Sequence, residues 1–183
     1  MDDLALARSL AAGDEDAFRQ LVDQETTSVF RTCYRILGRV DEAEDATQET
    51  FVLAYRSLAS FRGDGRPGAW LTRIATRECW RRAASRARRA AATTALDEVV
   101  METMPGSYSP LGDLVAAEER ARVRQAVEDL GEPYREVVAL RFFGELSLLD
   151  IAAATGRPEG TIKAQLHRGL ERLRRSLHSE RAR

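Results

Sequence analysis

Three stretches of the chain combine residue types whose spacing suits contact with another large molecule. Along residues 69–89, Trp70 and Trp80 are interleaved with Arg73, Arg77, Arg81 and Arg82. Aromatic rings stack on bases while guanidinium groups follow a phosphate backbone, so the pattern suits a single nucleic-acid strand. A core tryptophan beside a solvated arginine face accounts for the same residues. Near the C-terminus, Thr161, Lys163, Ala164, Gln165, His167 and Arg168 share the outward face of an amphipathic stretch, and Arg172, Arg174 and Arg175 extend it. Hydroxyl, amide, methyl and cationic groups in that layout suit base edges and phosphates of a duplex. A generic helical hairpin with a basic tail is the plainer reading. The third stretch, 41–49, holds Asp41, Glu42, Glu44, Asp45 and Glu49 and no base. A helix dipole favours acids in its first turn, and the same face suits docking to a basic partner.

Bond-making chemistry has no comparable candidate. His167 and His178 stand eleven apart and belong to neither an HExxH motif nor a Cys/His cluster. Gly63, Gly65 and Gly68 lack the Lys-Ser/Thr that completes a phosphate-binding loop. The expectation is a protein with no catalytic residues, no metal and no cofactor. Cys33 and Cys79 are too few for a disulfide scaffold and read as partly buried thiols of a cytoplasmic protein, with a redox pair as the minor alternative.

The elements that position these stretches follow a helical period throughout. Residues 2–12 form a short helix, broken at Gly13. A second runs from Ala17 through Phe18, Leu21, Val22, Phe30, Cys33, Tyr34 and Leu37 to Gly38. A third opens at Asp41 and buries Ala43, Ala46, Thr47, Thr50, Phe51, Ala54, Tyr55 and Leu58. Residues 60–68, with three Gly and one Pro, form a loop. A fourth helix covers 69 to about 90, with Trp70, Leu71, Ile74 and Ala75 inward. Residues 91–114 lose the period and read as an extended linker. Beyond it, Val123, Val127 and Leu130 mark one helix, and Val137, Val138, Leu140 and Phe142 the buried side of the next. Ser147 caps 148–154, a turn at 155–158 follows, and Ile162, Leu166, Leu170, Leu173 and Leu177 line the last helix. The fold class expected is all-α: two small helical bundles, 1–90 and 114–183, joined by a flexible acidic linker, 91–113. The second contains a helix-turn-helix.

Charge supports that division. The 183 residues carry a net charge of −1, but it is segregated. Residues 73–89 hold seven Arg against Glu78, 90–119 hold six acids and no base, and 157–183 hold seven Arg and Lys163 against three acids. The basic blocks are candidate polyanion surfaces. With 44% hydrophobic and 7% aromatic residues the composition argues against a sandwich or barrel. No run reaches the roughly 20 apolar residues of a membrane span, and the acidic start lacks a signal-peptide pattern.

Taken together, the segments resemble a bacterial sigma factor of the extracytoplasmic-function type, from about Asp16 to Leu177. Residues 41–51, Asp-Glu-Ala-Glu-Asp-Ala-Thr-Gln-Glu-Thr-Phe, resemble the D-A-E-D-hydrophobic-x-Q-E-x-F stretch of region 2. Phe61-Arg62-Gly63 followed by Ala69-Trp70-Leu71-Thr72-Arg73-Ile74-Ala75 resembles its F-R-G … W-L-x-R-I-A. Residues 160–169, Gly-Thr-Ile-Lys-Ala-Gln-Leu-His-Arg-Gly, resemble the region 4 G-T-V-K-S-R-L-H-R-A. The resemblance implies a promoter-specific initiation factor that binds core RNA polymerase and helps open DNA. Asp41, Glu42, Asp45, Gln48, Glu49 and Phe51 would dock on the beta-prime coiled coil. Phe61, Arg62, Trp70, Arg73, Arg77, Trp80 and Arg81 would hold the non-template strand of the minus-ten element, with base flipping aiding opening. Thr161, Lys163, Ala164, Gln165, His167, Arg168 and Arg172 would read the minus-thirty-five duplex, and the same unit would touch the beta flap. An anti-sigma partner is implied as well. The acidic linker would thread the polymerase toward the RNA exit path.

Four positions depart from the pattern: Thr76-Arg77 stands where Arg-Asn is common, Arg81 where Asp is, and Gln165 where Arg is. Base preference is the property these touch; Gln165 points to adenine where Arg would favour guanine. The alternatives are a sigma-like decoy that binds an inhibitor without polymerase, and a helix-turn-helix regulator, which would need a dimer to read two half-sites.

Overall fold

A computed structural model of the chain describes residues 3–61, 63, 65–92 and 110–181. The expected linker falls mainly on 93–109, and Arg62 on its own; both lie outside the described residues. Eight α-helices are described: α1 (Asp3–Ala11), α2 (Glu15–Leu37), α3 (Val40–Arg56), α4 (Pro67–Ala92), α5 (Pro110–Glu128), α6 (Tyr134–Phe142), α7 (Leu148–Thr155) and α8 (Glu159–Arg181), with a 3-10 turn at Leu58–Ser60.

Local chemistry sets the helix ends. The Asp14 carboxylate accepts from the Asp16 and Ala17 amides and starts α2. Gly38, at φ 79°, ends it by donating its amide to the Tyr34 carbonyl, a left-handed cap that glycine adopts without strain. Pro67 begins α4, where a missing amide costs nothing. Ser147 and Asp150 cap α7 reciprocally, each side chain accepting from the other's backbone amide. Helix α5 begins at Pro110, four residues ahead of the expected start of the second unit.

Helices α2, α3 and α4 pack on one another, with α1 sealing one end through Leu6 and Leu10. Ala43, Ala46 and Ala54 let α3 approach closely, while the buried Thr47 and Thr50 hydroxyls donate back to the Ala43 and Ala46 carbonyls at 2.7 and 2.6 Å. Cys33 and Cys79 are fully buried in this core, deeper than the partial burial expected. Each fully buried Leu or Ile contributes on the order of 1.5–3 kcal/mol.

In the second unit α6, α7 and α8 surround Val137, Leu140, Leu146, Ile151 and Ile162, with α5 against α6 and α8. Gly169 allows α8 to lie on α6, since a Cβ there would come within 2.9 Å of the Val138 side chain. Two expected inward residues differ. Phe142, at the end of α6, is 51% exposed, and Tyr55, the penultimate residue of α3, is also 51% exposed. The Tyr55 ring packs edge-on to Phe18 and its hydroxyl donates to Glu15.

The two bundles touch. Helix α4 packs along α6 and α7, Ala69 of α4 belongs to the core of the second unit, and Val127, Leu130, Val138 and Ala139 join the core of the first.

Candidate nucleic-acid interface

Helix α8 presents the simplest surface. Its inner face is anchored by Ile162 and Gly169, so Thr161, Lys163, Ala164, His167 and Arg168 point to solvent. Gly160 and four of these line an open groove along the helix. This exposed, cationic first half of α8 is set against a capped α7 across the 155–158 turn, the layout of a helix-turn-helix. Arg172 differs: its guanidinium lies 4.2 Å above the Tyr134 ring and is held by its own protein. Gln165 is half-buried, and its Oε1 accepts from Arg157 Nη1 at 2.9 Å. His167 Nδ1 lies 4.0 Å from Glu171.

The expected strand-binding residues of α4 are engaged within the protein. Arg73 and Arg77 donate from Nε to Glu136 Oε1 at 3.0 and 3.2 Å, and Arg157 donates to the other Glu136 oxygen. Arg73 Nη1 donates to the Ala154 carbonyl at 2.8 Å. Glu136 is only 8% exposed. Burial alone would raise its pKa, but the Arg73 hydrogen bond and the charges of Arg73, Arg157 and Arg77 overcome that and hold it below the ordinary glutamate range. Further along, Trp80 packs 6.3 Å from the Phe143 ring, with the Arg135 guanidinium 5.9 Å from its own ring centre. Trp70 and Phe61 pack together at 5.0 Å. Trp80 and Phe61 are buried, so neither is available to stack on a base in this arrangement. Arg81 instead makes a two-pronged pair with Glu78 at 2.7 Å, with most of its side chain in solvent. Arg77 remains 63% exposed.

The third surface lies on α3. Asp41, Glu44, Asp45 and Gln48 are exposed, and Val52 and Tyr55 continue the same stripe toward the C-terminal end. Glu42 turns inward to Arg86 at 2.9 Å, Glu49 is half-buried, and Phe51 packs on the core. An Arg39 hydrogen bond keeps the Asp41 carboxyl below its usual range. Val52 and Tyr55 were not singled out from the sequence as surface residues. The signal was there: both continue the spacing of Asp41, Glu44 and Gln48 at steps of three and four. Among the described residues no group of His, Cys, Asp or Glu is placed to hold a metal ion.

These surfaces coincide with two family models. Sigma-70 region 2 matches residues 21–89, which include the α3 stripe and most of α4. Sigma-70, region 4 matches residues 120–173, which include α7 and the first half of α8. The chain is 34% identical over 179 residues to the ECF RNA polymerase sigma factor SigW of Bacillus subtilis (strain 168), covering 93% of this chain and 94% of SigW.

The chain belongs to the extracytoplasmic-function (ECF) sigma factors.

This sigma factor is also 32% identical over 180 residues to the RNA polymerase sigma-H factor of Pseudomonas aeruginosa, covering 96% and 93% of the two chains. Among solved structures it matches CnrH in complex with the cytosolic domain of CnrY, with a TM-score of 0.59, 26% identity and 97% of each chain covered. The sigma factor RpoE from Bartonella quintana, solved with the anti-sigma factor NepR, shares the fold at a TM-score of 0.54 and 24% identity, over 88% of this chain and 96% of that one. As a family member this sigma factor is a promoter-specific initiation factor, and no described helix is long and apolar enough to cross a membrane.

Proposed function

We propose that this sigma factor works as two units, 1–90 and 114–183, that meet different parts of one promoter while core RNA polymerase holds both. The α3 stripe of Asp41, Asp45, Gln48, Val52 and Tyr55 docks on the beta-prime coiled coil, an acidic and apolar face suited to a basic helical partner. The segment from Phe61 to Arg81 holds the minus-ten strand, with Arg73 and Arg77 on its phosphates and Phe61, Trp70 and Trp80 supplying stacking surfaces once uncovered. Helix α8 reads the minus-thirty-five duplex with Thr161, Lys163, Ala164, His167 and Arg168, and the second unit contacts the beta flap. The polymerase supplies the chemistry; this chain supplies recognition, in the cytoplasm. A protein inhibitor is part of the reading, because CnrH, which shares this fold, is solved bound to the cytosolic domain of CnrY.

One observation carries the proposal: the exposed cationic half of α8 is fixed by Ile162 and Gly169 to a capped helix-turn-helix, a rigid surface with nothing of the described protein covering it. The test is run-off transcription with purified core polymerase over a library of promoters. Transcripts sharing upstream minus-thirty-five and minus-ten sequences are the expected result. Absence of initiation from every template, with no binding to core polymerase, would favour the decoy.

A further inference from the structure

The ion pairs across the seam between the two bundles have a consistent polarity. Arg35, Arg66, Arg73 and Arg77 all come from the first bundle, and all meet carboxylates of the second: Arg35 with Glu145 at 2.8 Å, Arg66 with Asp150 at 3.8 Å, Arg73 and Arg77 with Glu136. Backbone acceptors follow suit, with Arg73 on the Ala154 carbonyl and Arg35 on that of Phe143. The second bundle thus offers α4 and its surroundings a row of anionic and carbonyl oxygens, which is what a nucleic-acid backbone offers to guanidinium groups.

We propose that Glu136, supported by Glu145 and Asp150, is an internal stand-in for promoter phosphate, so that closure of the two bundles and capture of the minus-ten strand exclude one another. This rests on the reading of α4 as the strand-binding face. Closure and strand compete for the same donors, because each Arg73 and Arg77 Nε directs one hydrogen to one acceptor.

Two features make the closed arrangement displaceable. Three guanidinium groups share the one Glu136 carboxylate, leaving excess positive charge that a strand with one phosphate per nucleotide neutralises more completely. In the closed arrangement the Trp80 indole N–H and the Thr76 hydroxyl are buried without a hydrogen-bond partner. Trp80 lies in the seam itself, beside Phe143, and an unpaired buried donor weakens whatever arrangement buries it. Helix α8 is on the far side of this device. Its exposed Thr161, Lys163, Ala164, His167 and Arg168 take no part in the seam, so that part of the duplex face is open while strand capture is closed; Gln165 alone is tied to Glu136, through Arg157.

A covalent lock tests the idea on the full chain. A Cβ on Gly144 would lie 2.5 Å from the Thr72 side chain across the seam and 2.9 Å from the Leu140 carbonyl oxygen, so the two positions are near enough for a disulfide once the end of α6 shifts. The Thr72→Cys/Gly144→Cys chain is oxidised or reduced, and binding of a fluorescent oligodeoxythymidine of about 20 nucleotides is measured without polymerase. Run-off transcription is measured on the same samples. The oxidised chain is expected to bind the strand about tenfold more weakly than the reduced one and to lose transcription, with both restored by reductant. Glu136→Gln, which needs no crosslink, is expected to bind the strand about five- to tenfold more tightly than the parent. Equal strand binding by locked and reduced chains, both active in transcription, overturns the stand-in role and leaves the proposed function intact. Unchanged strand affinity in Glu136→Gln overturns it also. Loss of strand binding and transcription in the reduced chain and the parent alike overturns the functional reading and this inference together.

Discussion

Arg157 Nη1 donates to Gln165 Oε1 at 2.9 Å, while the other terminal nitrogen of the same guanidinium donates to Glu136. A guanidinium has no acceptor, so the Gln165 oxygen must face Arg157 and the amide nitrogen is the end left for DNA. Recognition of adenine by Gln needs both ends. The adenine preference expected from residue type alone therefore loses half its donor–acceptor pattern in this arrangement. Arg157→Ala is expected to release the amide and shift the selected base at one minus-thirty-five position, read by sequencing transcripts from a randomised promoter library. Gln165→Arg should move that position toward guanine; an unchanged preference in both variants would remove Gln165 from base reading.

The α3 stripe predicts a separation of binding from stability. Val52 is 42% exposed and makes no part of the core, so Val52→Asp should change stability by no more than about 0.5 kcal/mol. Asp45→Arg is likewise at an exposed site. Both should weaken core polymerase binding about tenfold, consistent with hot-spot losses at an interface. Thermal melting with unchanged Tm and polymerase titration by fluorescence anisotropy check the two halves of the statement.

Acid should loosen the seam. Glu136 sits below the ordinary glutamate value in the closed protein, so the ionised form is favoured by closure. Its contribution is fully present at neutral pH, begins to fall near the unperturbed value of about 4.3, and is lost as pH drops through the depressed value. Trp80 fluorescence, reporting the contact with Phe143, should change over that acidic window. In Glu136→Gln the change should be shallower, because the titrating group is gone. An identical profile in both chains would assign the transition to other carboxylates.

Core packing predicts a local failure in the second unit. Ile162 is fully buried at the base of α8, and Ile162→Ala should cost about 2–5 kcal/mol. Duplex binding should fall with it, while the α2–α3–α4 core, which does not contain Ile162, keeps its helicity on heating. Circular dichroism and duplex titration on the same variant distinguish the two units.

Much of this architecture is legible in residue spacing. Asp14, Gly38, Ser147 and Gly156 mark helix ends by chemistry that acts within four residues, and each end falls where those residues put it. The outward set on α8 follows the same way, because Ile162, Leu166 and Leu173 define the opposite face. What spacing cannot convey is contact between distant parts of the chain. Arg73 lies 63 residues from Glu136, and neither composition nor periodicity pairs them. Tyr55 departs from its helical period for a related reason: at a helix end an aromatic ring can lie edge-on across a neighbour such as Phe18 and stay half in water. Gln165 carries the right side chain for base reading, but its availability depends on Arg157 across the 155–158 turn.

Gly144, pressed against Thr72, and Ala69, set into the core of the opposite unit, have a consequence for modular engineering. Chimeras that splice the front half of this chain to the back half of a homologue will inherit a foreign side chain at one of these two points of closest approach. Where that side chain is larger than the native one it will act as a wedge, and the hybrid will rest ajar even though each half is correctly folded. Graft boundaries are therefore better judged by fit at residues 69, 72 and 144 than by where along the chain the join is made.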